Sequence, residues 1–99
     1  MARIIGKGYS YEDVLIVPKY NKVISRKDVC MKTKVTRNYE IEIPILVANM
    51  DTTCEAPMAI AIGKLGGLGV LHRFNTIESQ SKQVKMIKSK KLIAAAALG

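Results

Sequence analysis

The sequence has no tryptophan, one phenylalanine and one histidine, and only 5% of its 99 residues are aromatic. Tyr9, Tyr11, Tyr20, Tyr39 and Phe74 are scattered rather than interleaved with Lys and Arg, which leaves no platform for stacking successive bases. Nucleic acid is therefore not an expected partner. The two cysteines, Cys30 and Cys54, lack CxxC or His-rich spacing, so no metal site is expected and both thiols should be reduced, as in the cytoplasm. Nothing at the N-terminus resembles a secretory leader. The most apolar stretch, residues 92–98, is about a third of the roughly 20 residues needed to cross a bilayer, so no membrane span is expected. Acidic residues are scarce too: eight Asp and Glu against sixteen Lys and Arg give a formal net charge of +8. A positive field suits nucleic acid, an anionic surface or a nucleotide, and its sign alone does not choose among them.

What is present is globular in character, with 48% hydrophobic residues and a mean hydropathy of +0.11. The length allows one small domain at most. Ser10 ahead of Tyr11, Glu12 and Asp13 predicts a short helical turn with the hydroxyl capping free amides. Residues 14–17 then run into Pro18, which donates no ladder bond, and predict an edge or arm strand. Alternation over residues 29–36, a turn at Arg37 and Asn38, and alternation again over residues 39–43 predict a half-exposed β-hairpin.

After Pro44 the pattern changes. Residues 45–48 are apolar at successive positions, as in a strand covered on both faces. Glu55, Ala56 and Pro57 open a helical run that stops at Gly66 and Gly67. Residues 68–71 predict a second buried strand, and Thr76 caps a helix whose inward stripe is Ile77, Val84 and Ile87, with Gln80 and Lys88 nearby. Residues 92–98 predict a third buried strand. The three strands begin about 23 to 24 residues apart, which is a βαβαβ repeat with parallel strands. The expected fold is α/β: the N-terminal part of a (β/α)₈ barrel, with about three parallel strands and two helices, preceded by an arm and hairpin. A complete barrel takes about 250 residues, so the sequence is expected to be one partial domain: residues 1–44 the arm and hairpin, residues 45–99 the first βαβαβ. A doubly wound sheet is the alternative, but its glycine-rich first turn is missing from residues 49–53.

The glycines of residues 63–69 follow a helix and precede a strand. That is the wrong order for a phosphate loop and the right one for a helix stop with close helix–strand packing. The strand-to-helix loops are better candidates, because a parallel α/β protein gathers its site at the carboxyl ends of its strands. The first loop holds Asn49, Met50, Asp51, Thr52 and Thr53; its polar groups suit either chemistry or helix capping by Thr52 or Thr53. The second holds His72, Arg73, Phe74 and Asn75. Its single His is more often structural than catalytic, while Arg73 beside it suits a phosphate or carboxylate. Cys54, at a helix start, has a setting that can lower a thiol pKa.

Residues 9–18 (YSYEDVLIVP), 43–53 (IPILVANMDTT), 55–62 (EAPMAIAI) and 66–80 (GGLGVLHRFNTIESQ) together resemble the start of the IMP dehydrogenase/GMP reductase family. The likeness runs in register from Gly8 to Gly99. It implies a (β/α)₈ barrel, a tetramer, a purine nucleotide (GMP or IMP) and a nicotinamide cofactor. The implied chemistry is hydride transfer at the purine C2 through a covalent cysteine intermediate. In that family the dehydrogenases oxidise IMP to XMP with NAD, and the reductases convert GMP to IMP and ammonia with NADPH. Residues 58–62, 66–69 and 77–80 look like the dehydrogenase. Ser25-Arg26, Ala48-Asn49-Met50 and His72-Arg73-Phe74 look more like the reductase. The regulatory module that most dehydrogenases insert after the second helix has no room here, since residues 88–91 lead straight into Leu92. The balance leans to the reductase, with the dehydrogenase as the alternative. By resemblance, Ser25, Arg26, His72 and Arg73 are candidate cofactor residues, with Arg73 replacing a common lysine, and Asn49, Met50 and Asp51 lie near the substrate. The family's nucleophilic cysteine, phosphate loops and monovalent-cation site correspond to positions beyond Gly99, so neither Cys30 nor Cys54 is assigned a catalytic role. The chain alone is thus expected to be an inactive piece of the enzyme. The alternative from another class is a non-catalytic basic module for nucleotide binding or assembly.

Overall fold

Three short apolar segments form the centre of the molecule because each finds a parallel neighbour. The computed structural model describes residues 2–99; Met1, the first residue of the expected arm, lies outside the described residues. An antiparallel hairpin pairs β1 (Thr33–Lys34) with β2 (Glu40–Ile41), in the register Thr33 to Ile41 and Lys34 to Glu40. Its turn is closed by the Tyr39 carbonyl, which accepts from the Val35 and Thr36 amides at 3.0 and 3.4 Å. The remaining elements are β3 (Leu46–Val47), α1 (Ala56–Lys64), β4 (Leu68–Leu71), α2 (Ile77–Ser89) and β5 (Ala95–Ala96). The order β3-β4-β5, parallel throughout, is the expected βαβαβ, consistent with part of a (β/α)₈ barrel.

Each helix begins and ends for a local reason. In α1, Pro57 occupies the first turn, where its missing N–H costs nothing. At the other end Gly66 takes φ +98°, the left-handed geometry that turns a chain out of a helix. In α2 the Thr76 hydroxyl accepts the Ser79 amide at 3.1 Å, as its position predicts. Lys91 follows α2 with φ 59°, the same conformation carried by a residue with a Cβ. The glycines also set packing distances. A Cβ on Gly69 would lie 2.7 Å from the Ala59 Cα, and one on Gly67 2.8 Å from the Ile45 carbonyl oxygen, so α1 can approach the sheet closely. The core formed there is Cys54, Ala56, Ala59, Leu71 and Ile87, flanked by Val47, Ile60, Val84 and Leu92.

The hairpin sits on this unit through Gly66, whose carbonyl accepts the Glu42 and Ile43 amides at 2.8 and 3.1 Å while Ile41 is buried. Residues 2–32, by contrast, are exposed throughout. They account for a radius of gyration of 17.9 Å, against about 13 Å for a compact chain of 100 residues.

Several expectations are corrected. Residues 14–17 form no strand: Leu15 and Ile16 are 96% and 95% exposed because none of the described residues pairs with the segment. Ser10 is the N-cap of a capping box with Asp13, as expected, and its amide and hydroxyl both donate to Asp13 Oδ2, at 2.9 and 3.0 Å. Those bonds hold the Asp13 carboxyl below its ordinary pKa. β3 is not covered on both faces, since Ile45 and Leu46 are about half exposed. Ile77 points outward at 86% exposure, so the inward side of α2 is carried by Gln80, Gln83, Val84 and Ile87. The third strand pairs over two residues only and is half-buried, with Leu98 exposed.

Candidate site at the carboxyl ends of the strands

Because β3, β4 and β5 are parallel, residues 48–53, 72–75 and 97–99 follow them at one end of the sheet. The first loop folds on the Met50 carbonyl, which accepts the Thr53 and Cys54 amides, both at 3.0 Å, while Asp51 Oδ1 accepts the Thr52 amide at 2.9 Å. Asn49, Met50 and Asp51 are exposed there. Neither Thr52 nor Thr53 caps α1. Instead Glu55 takes the N-cap position, and the Ala56 amide is capped from α2 by Gln83 Oε1 at 2.8 Å.

His72 is 3% exposed. Its Nδ1 accepts the Phe74 amide at 3.1 Å, which leaves the proton on Nε2, 3.3 Å from Glu55 Oε1. Both ring nitrogens are thus engaged within the chain, and the imidazole is an oriented, buried group. Arg73 beside it is exposed and stacks its guanidinium 4.8 Å from the Phe74 ring centroid. A cleft of about 450 Å³ opens between this loop and the chain end, lined by Arg73, Asn75, Thr76, Gln80 and Leu98 among others. Asn75, which lines the same cleft as Arg73, has its Nδ2 buried without a hydrogen-bond partner among the described residues.

Ser25 and Arg26 lie in the arm, where the Ser25 hydroxyl accepts the Lys27 amide at 3.3 Å and both residues are exposed. Among the described residues no hydrogen bond or ion pair ties them to the strand-end loops. The expectation of a lowered thiol pKa at Cys54 is corrected: it is wholly buried, and desolvation raises its pKa. Sequence reasoning missed Glu55 and Gln83, whose contacts span 17 and 27 residues, and it noted Gln80 only as a neighbour of the α2 stripe.

Residues 8–98 match the model of the IMP dehydrogenase / GMP reductase domain. The chain belongs to this family. Among family members it is 45% identical over 82 residues to an inosine-5'-monophosphate dehydrogenase of Nitrosopumilus maritimus, covering 83% of this chain and 17% of that protein. It is 44% identical over 82 residues to a GMP reductase of Leishmania donovani, with the same coverage of each. It is also 41% identical over 85 residues to an inosine-5'-monophosphate dehydrogenase of Cryptosporidium parvum, covering 86% of this chain and 21% of that protein. The chain therefore spans about a fifth or less of the length of these curated relatives.

Proposed function

We propose that this chain is the opening segment of a purine-nucleotide oxidoreductase barrel, residues 1–44 being its arm and hairpin and residues 45–99 its first βαβαβ, and that the enzyme is a GMP reductase. In this reading NADPH supplies a hydride to the purine C2 of GMP, ammonia leaves, and IMP is formed. The observation that carries it is the second strand-end loop: an exposed guanidinium stacked on Phe74, with Asn75, its Nδ2 buried, lining the same cleft. That donor set fits the anionic and amide groups of a phosphorylated nicotinamide dinucleotide, because Arg grips phosphate with a fork of N–H donors. Arg73 holds the cofactor on a loop that the buried His72 orients, with Ser25 and Arg26 reaching it from a neighbouring subunit of a cytoplasmic homotetramer, and Asn49, Met50 and Asp51 border the nucleotide. The second reading is an NAD-dependent IMP dehydrogenase, to which the 45% identity with the Nitrosopumilus enzyme lends the same support as the 44% identity with the Leishmania enzyme lends the reductase.

The test mixes this chain with a separately expressed chain that supplies the remaining barrel of the Leishmania donovani reductase, and follows nicotinamide absorbance. GMP-dependent oxidation of NADPH with release of ammonia is the expected result. IMP-dependent reduction of NAD would replace it with the dehydrogenase. Binding of GMP by this chain, with no turnover in any mixture, would make it a non-catalytic module.

A further inference from the structure

The ladder between β4 and β5 ends with the Ala97 amide donating to the Leu71 carbonyl at 2.9 Å. The next carbonyls, His72 O and Ala97 O, lie past the paired residues, where a strand end ordinarily leaves acceptors to water or to a side chain. Both are taken by one group: Gln80 Nε2 donates to His72 O at 3.1 Å and to Ala97 O at 3.0 Å. These two bonds use both hydrogens of the amide, and a flipped amide would set Oε1 against two carbonyl oxygens, so the side chain has one workable orientation. Gln80 is itself anchored, because it lies in the first turn of α2 and its backbone amide donates to the Thr76 carbonyl at 2.9 Å.

His72 is thereby held at three points: its ring by Glu55 and by the Phe74 amide, its carbonyl by Gln80. Across the cleft, the guanidinium of Arg73 comes up to Gly99, where an added Cβ would lie 3.4 Å from Nη1. The gap between the His72–Asn75 loop and the segment after β5 is thus set at its floor by Gln80 and met at its rim by Arg73.

We propose that Gln80 is a positioning residue, whose amide ties the carboxyl ends of β4 and β5 and thereby fixes where Arg73 and Asn75 meet a bound ligand. The ligand side of this inference rests on the nucleotide-site reading above; the coupling of the two loops does not. Removing the amide leaves two half-buried carbonyls unpaired, a loss that corresponds to about a tenfold change in local opening.

The test is hydrogen exchange on the full chain and on Gln80→Leu and Gln80→Glu, with melting measured with and without GMP plus NADPH. In both variants the Phe74 and Ala97 amides should exchange about tenfold faster while Val70 and Ile87 keep their protection, and any nucleotide-induced rise in melting temperature should shrink. Gln80→Glu keeps the size of the side chain but removes its donors, which separates the bonds from packing; Gln80→Leu avoids placing a charge there. Unchanged exchange at Phe74 and Ala97, or a uniform acceleration that includes Val70 and Ile87, would overturn the proposal. If nucleotides leave the unsubstituted chain unaffected, the functional reading fails by that result alone, while the exchange pattern still decides whether Gln80 couples the two loops.

Discussion

Residues 2–32 and residues 45–97 draw on similar material, for about half of each stretch is hydrophobic, yet the first is exposed throughout and the second builds the core. In the second stretch apolar residues recur at strand and helix spacing, glycines stand where backbones must approach, and each element meets the next within about 25 residues. In the first, Ile4, Ile5, Leu15 and Ile16 are covered by no neighbour among the described residues. Hydrophobic content is therefore a poor guide to burial; what decides is whether the topology supplies a second surface.

Leu71→Ala against Leu15→Ala gives the sharpest contrast. Leu71 is fully buried, so its truncation should cost about 3 kcal/mol of unfolding free energy, whereas the change at Leu15 should stay within about 0.5 kcal/mol. Urea denaturation reads both. Similar losses at the two sites would break the comparison by showing that the arm is covered in solution. Alanine at Gly69 against alanine at Gly8 comes next. At Gly69 the new methyl group meets backbone and the Cys54 sulfur at 2.7 and 2.9 Å and should cost about 2 kcal/mol, while at Gly8 nothing lies within 4 Å and the midpoint should hardly move. The smallest effect has the opposite sign. Lys91→Gly relieves a left-handed residue at φ 59° and should raise stability by about 1 kcal/mol, seen as a higher denaturation midpoint with an unchanged slope.

The pattern of elements was legible because it is local. Residues 68–71, the Thr76 cap, Pro57 in its first turn and the glycine stop at Gly66 all follow from side-chain chemistry within a few positions, and the parallel order follows from the repeat. The errors fall where a distant partner decides. Residues 14–17 have strand composition but no strand beside them among the described residues, and Ile77 has an apolar side chain at a position that faces outward. In the site, the loops were found from topology alone, whereas the groups that hold His72 were not. Glu55 and Gln80 reach it across 17 and 8 residues, and no spacing rule marks either.

The bond from Gln83 to the start of α1 has a consequence for synthesis. Ala56 leaves the ribosome 27 residues ahead of the side chain that caps its amide. At about 5–20 residues per second, the first helix waits on the order of seconds with that donor open to water. The βα unit that emerges first is thus completed by the one that follows it.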